Sequence, residues 1–236
     1  MRNTLTIARR ELESYFVSPV AYVTIALFLF IMGFLFERIL ALSREATLQY
    51  LFENMVTILM LVGPLLSMRL FAEENRSGTL ELLLTSPVRD WEVVLGKFVA
   101  GFTVLAIALA FTGLYAVVLA LLGHPELGPI LSGYLGMLLF GAAVIAIGLL
   151  TSSWTRNQVI AGFLAIVIVL FLWVVQALAS SAGGSLAGVP AYVSLAQHYE
   201  DFLRGVIDTR NVVYFVSVVV VALFLTVRSV EARRWR

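Results

Sequence analysis

The sequence predicts an all-α integral membrane protein with six transmembrane helices, and three observations predict it. Apolar residues make up 61% of the 236 positions and charged residues only 13%, against roughly 45–50% and about 25% in a soluble domain. The charges fall in clusters, and six intervals between them are long enough to cross about 30 Å of hydrocarbon, which takes about 20 apolar residues in a helix. The basic residues alternate between rich and poor loops. A water-soluble globule and a disordered chain are thereby excluded. A net charge of +1 offers no bulk attraction to nucleic acid, and with no cysteine the chain has no disulfides, thiolate metal sites or cysteine nucleophiles.

Residues 1–18 come before the first span. Leu5, Ala8, Leu12, Tyr15 and Phe16 recur at helical spacing, with Arg9, Arg10, Glu11 and Glu13 on other faces. The pattern suits a helix lying in the membrane interface and broken from the span by Pro19; a basic flank that only sets topology is the plainer alternative. The spans are expected at 20–36, 47–68, 97–122, 130–150, 159–179 and 211–227, in one transmembrane domain covering 1–236. The first is read as a retained span, because no small-residue cleavage site follows it.

Six spans put both termini on one side. The amino-terminal segment, the loops after spans two and four, and the tail hold 12 of the 16 Lys and Arg residues. Short loops rich in Lys and Arg stay cytoplasmic, so both termini are expected there.

The cytoplasmic loop at 73–96 carries the most information. Gly78 supplies a turn, Thr79 caps a short helix, and Glu81 suits the positive end of its dipole. Leu80, Leu82, Leu83 and Leu84 crowd that helix, Ser86 and Pro87 end it, and Asp90 caps a second helix running into span three. Four leucines outside the bilayer need a cover, either a partner or this chain's own spans. At 180–210, Gly183, Gly184, Gly188 and Pro190 form a connector. Beyond it, Tyr192, Leu195, Ala196, Tyr199, Phe202, Leu203 and Val206 keep helical spacing. An amphipathic helix at the outer interface or partly re-entrant is expected, serving either as an exit gate or as a structural cover.

Polar groups inside spans are functional candidates by default. Glu53 either faces a pathway or snorkels to the outer interface, and Asn54, Gln158 and Gln176 either bond neighbouring helices or touch a substrate. Gly63-Pro64 kinks span two as a hinge or for static reasons. With Tyr199 and Phe202, these make Glu53, Pro64 and Gln176 the pathway candidates. No catalytic constellation emerges. His124 and His198 fall in different loops without metal-ligand spacing, and Gly96-Lys97 lacks the rest of a Walker A loop, so no catalytic residue, metal site or bound cofactor is expected.

These residues resemble the membrane subunits of ABC-2 type transporters, most closely the branch of gliding-motility and nitrous-oxide-reductase-maturation permeases. The likeness rests on Arg9-Arg10-Glu11-Leu12, on Glu73-Glu74-Asn75-Arg76-Ser77-Gly78-Thr79-Leu80-Glu81 continuing through Leu84 to Pro87-Val88, on Leu95-Gly96-Lys97, and on the segment Phe202 to Asp208. It implies a permease in the bacterial cytoplasmic (inner) membrane that pairs with a second copy or a paralogue. Its coupling helix, about Thr79 to Ser86, would dock on a separate ABC ATPase, two copies of which bind ATP and Mg. Residues 1–18 would be the family's elbow helix, and Glu73, Glu74 and the segment from Pro87 to Lys97 would shape the base of the coupling helix. A membrane-anchored accessory protein with an extracytoplasmic domain often accompanies this branch. The function so implied is ATP-driven export. The alternative is a mechanical or scaffolding subunit that remodels an envelope complex and transports nothing.

Overall fold

The computed structural model describes residues 2–43, 47–79, 88–123, 125–182 and 192–234. Among them the elements are α1 (Arg2–Val17), α2 (Pro19–Ser43), α3 (Gln49–Ser67), α4 (Arg69–Ser77), α5 (Asp90–Leu122), α6 (Leu127–Trp154), α7 (Gln158–Ala182), α8 (Leu195–Leu203) and α9 (Thr209–Arg234). The described residues contain no strand. Six helical stretches are long and apolar enough to cross a membrane: Ala21–Leu42, Gln49–Ser77, Asp90–Leu122, Leu127–Trp154, Gln158–Ala177 and Thr209–Ala232.

The helices overrun the apolar intervals at their polar ends. Helix α5 has 33 residues, about 50 Å at 1.5 Å per residue, so a hydrocarbon slab of about 30 Å cannot contain it. Its first two turns, Asp90 to Lys97, carry the polar end of span three beyond the apolar run. Asp90 is the first helical residue there, and the cap comes from Glu92, whose carboxylate accepts the Arg89 N–H at 3.1 Å.

Helix α6 is the axis of the bundle. It touches α3, α4, α5, α7, α8 and α9, and from Ala143 to Ser153 every residue is buried. Helix α2 is its opposite, turning Tyr22, Val23, Leu27, Phe30 and Phe34 outward. Side chains this apolar on an outer face suit lipid as solvent.

Helix α1 lies on α5 through one face, with Ala8 and Tyr15 buried and Ile7 and Leu12 packed against the core. The approach is close because residue 96 is glycine. A Cβ there would stand 2.8 Å from Ile7 Cγ2 and 3.0 Å from the Thr4 carbonyl oxygen. Leu5 and Phe16, expected on the same apolar face, point away and are exposed.

The segment expected as an amphipathic outer helix forms α8 and enters the bundle. Leu195, Tyr199, Phe202 and Leu203 are buried, and the Tyr199 ring lies 6.0 Å from that of Phe140. Phe140 sits 13 residues into α6, about 20 Å along its axis, so α8 packs against the middle of that helix. Tyr192 and Val206, which extend the same sequence pattern, remain exposed.

Candidate functional site

Both ends of the described chain lie at one end of the bundle. Ser229 of α9 meets Ser153 of α6 at 3.1 Å, and beside them Ser152 meets the start of α4. Arg69 of α4 in turn donates to Ser14 Oγ of α1 at 3.0 Å. The chain leaves α4 at this end and returns as α5, so the two helices are the stems of the loop expected to hold the coupling helix.

The first stem is fixed by α6. A helix start leaves backbone N–H groups without internal partners, and α4 draws their acceptor from another helix. Ser152 Oγ accepts the N–H groups of Phe71 at 3.0 Å and Ala72 at 2.9 Å, and donates to the Met68 carbonyl at 2.8 Å. Asn75 Nδ2 donates to the Thr155 carbonyl at 3.2 Å. The stem ends at Gly78, whose φ of +74° is left-handed and favours glycine. Upstream, the Tyr15 hydroxyl of α1 donates to the Leu66 carbonyl, and the Arg69 guanidinium lies 4.4 Å over the Tyr15 ring. Burial raises the pKa of this phenol above its ordinary range, opposed by the Arg69 charge.

The second stem is fixed by α1. Asn3 Nδ2 donates to Glu92 at 3.2 Å, and a turn further along α5 Lys97 joins the stems. Its side chain is 1% exposed, and its ammonium lies 2.8 Å from Glu11 of α1 and 2.9 Å from Glu74 of α4. It also stands 5.2 Å from the centre of the Phe71 ring. A buried ammonium is tolerated only when it is paired and hydrogen-bonded, and removing one member of such a group costs about 3–5 kcal/mol. Around the triad opens a cleft of about 210 Å³ lined by Arg10, Ser14, Glu73, Ser77 and Thr79 among others.

Of the expected coupling residues, Glu74 is half-buried in this triad, while Glu73, Gly78 and Thr79 are exposed beside it. Leu80, Glu81, Leu82, Leu83, Leu84, Ser86 and Pro87 lie outside the described residues. Neither spacing nor composition marks Lys97 and Glu11 as partners of one another, although both stand in blocks that carry the family likeness. Their contact spans 86 residues, and no local pattern reports such a pairing.

The pathway candidates do not form one site. Tyr199 and Phe202 are buried on α8, and the Glu53 charge adds to burial in raising the pKa of the Tyr199 phenol well above its usual range. Glu53 itself is exposed on α3. Pro64 is buried and lies 11 residues further along the same helix, about 16 Å away. Gln176 is half-buried on α7. At the same end as α8 a cavity of about 470 Å³ opens among Thr47, Gln49, Phe52, Glu126, Ile130 and Arg204. On α8 itself, His198 Nε2 and the Tyr199 hydroxyl are buried without a hydrogen-bond partner.

No curated protein matches the chain in sequence. The family described as "ABC-2 family transporter protein" matches over residues 5–227, from the first turn of α1 to the last turns of α9. That span takes in both stems, the triad, five of the six apolar helices whole and most of the sixth, and on it the chain belongs to the ABC-2 family of transporters.

Proposed function

We propose that this multi-pass membrane protein is the permease subunit of an ATP-driven exporter, in the gliding-motility and nitrous-oxide-reductase-maturation branch of its family. Family membership makes the chain a transmembrane subunit distinct from the ATPase and implies an ABC ATPase as partner. Both termini and the loop between α4 and α5 face the cytoplasm, in keeping with the basic residues at that end. The ATPase binds ATP and Mg, engages that loop, and by closing its two copies moves the loop and the attached spans. A second permease copy or a paralogue completes the pathway.

The observation that carries this reading is the joint between the loop and the bundle. Helix α4 follows α3 after the single residue Met68, and α5 is itself a span. Displacement at the loop therefore enters spans two and three without a flexible linker, and Ser152 passes it to α6.

The test is purification with the ATPase that accompanies the chain in its native membrane. A stable complex is expected, with ATP turnover that changes on Leu83→Asp or Glu81→Lys. Unaltered assembly and turnover in both variants would overturn the reading. In vesicles, ATP-dependent movement of a lipid or solute supports export. Turnover that only releases or rearranges an envelope partner would replace export by mechanical remodelling.

A further inference from the structure

We propose that Lys97 is a positioning residue for coupling: by holding Glu11 of α1 and Glu74 of α4 against the base of α5, it makes both stems and the amino-terminal helix move as one body. The proposal rests on the function stated above, but part of its test does not.

Three observations lead to it. The ammonium joins helices from three separate parts of the chain, at 2.8 Å and 2.9 Å, with only 1% of its side chain exposed. Packing does not require it. Ile7 and Thr4 already seat α1 on Gly96 one residue earlier, and Asn3 ties α1 to Glu92 on the same helix. Apolar side chains of similar volume usually stabilise such a site as well as buried ions do or better. What the ammonium adds is direction. Its three N–H groups reach carboxylates on two different helices, so α1 and α4 have one relative placement against α5 that satisfies both. Apolar side chains would allow them to slide.

A fold-stabilising role and a positioning role predict different outcomes. The chain has no cysteine, so Arg10→Cys and Ser77→Cys, both exposed on the rim of the cleft, place spin labels on α1 and α4 without background. Two variants are compared in this labelled chain and, unlabelled, in the complex with its copurified ATPase. Lys97→Met leaves two carboxylates facing each other, and Glu11→Gln/Lys97→Met/Glu74→Gln removes every charge of the triad.

A positioning role predicts a narrow α1–α4 distance distribution in the parent that broadens at least twofold in both variants. The triple variant recovers the parent's melting temperature. In both variants the complex assembles, yet the permease no longer alters ATP turnover. A triple variant that regains the melting temperature, the narrow distribution and the effect on turnover would reduce Lys97 to a fold stabiliser, as would a Lys97→Met variant that keeps the last two. If the parent chain associates with no ATPase, the function proposed above fails, while the spin-label distances still decide whether Lys97 positions the stems.

Discussion

At the end of the bundle where α1 meets α4 and the close of α9 meets α6, α1, α4, α5 and α6 are joined by directional bonds: the Lys97 pairs at 2.8 Å and 2.9 Å and the Ser152 bonds at 2.8–3.0 Å. At the opposite end two bonds hold the last turn of α8, from Ser132 Oγ to the Phe202 carbonyl at 2.8 Å and from Asn211 Nδ2 to the Asp201 carboxylate at 2.7 Å, and rings make much of the remaining contact. Phe140 meets Trp173, Tyr199 and Phe215 at centroid distances of 5.7, 6.0 and 6.4 Å, and Phe202 meets Phe215 at 6.2 Å. Hydrogen bonds weaken steeply with misalignment, so the first end has one arrangement that satisfies it. Ring contacts spread over many angles and separations, so away from those two bonds the second end tolerates small shifts. Under the proposed function the first end delivers a displacement and the second yields to one, and the two chemistries suit those tasks.

The sharpest way to break this contrast is at the yielding end. Phe202 is fully buried, and its side chain lies where a Cβ on Gly136 would come within 2.7 Å. Phe202→Ala opens a cavity between α8 and α6, and such truncations cost about 3–5 kcal/mol. Thermal unfolding in detergent is expected to show the largest loss here, while the ATPase still binds. Lost binding would mean that the two ends are not separable.

At the directional end Ser152→Ala leaves two buried N–H groups of α4 without an acceptor, each costing about 1–3 kcal/mol. A loss of about 2–4 kcal/mol is expected, together with faster hydrogen exchange at Phe71 and Ala72. A melting temperature equal to the parent's would show that α4 does not depend on α6 for its start.

The smallest effect is a pH dependence confined to the ring-packed end. Burial holds the His198 pKa below its ordinary value, opposed by the Asp201 carboxylate, and the Tyr192 and Tyr214 rings flank the imidazole. The unfolded chain therefore takes up the proton first. Stability from this group is complete above about pH 6.5, the unperturbed value, and falls as the pH drops toward the lowered folded value. Melting curves between pH 8 and pH 5 are expected to shift downward for the parent and less for His198→Phe. Parallel shifts in the two proteins would remove His198 as the cause.

The apolar intervals made the spans legible, because a slab of hydrocarbon imposes a minimum length that composition reports directly. Hydropathy sees the slab and not the helix, so the polar turns from Asp90 to Lys97, and those past Val227, were not legible as continuations of spans. The periodicity of α8 was readable from Leu195 to Leu203, but whether its apolar face meets lipid or the bundle interior is a tertiary choice that periodicity does not encode. The loop expected to hold the coupling helix stood out by composition. Its clamp did not, because Lys97 alone resembles any basic residue flanking a membrane helix.

The seat of α1 on Gly96 and Lys97 also bears on biogenesis. Glu11 is made 86 residues before its partner, an interval on the order of ten seconds at ribosomal speed. During that time the newborn amino-terminal helix lacks α5, against which most of its contact is made, and its partners are α2, the Leu66 carbonyl and Arg69. The amphipathic segment is thus first tethered at a few points and only later clamped into the joint, and a chain stalled before residue 97 would leave it without its seat on α5.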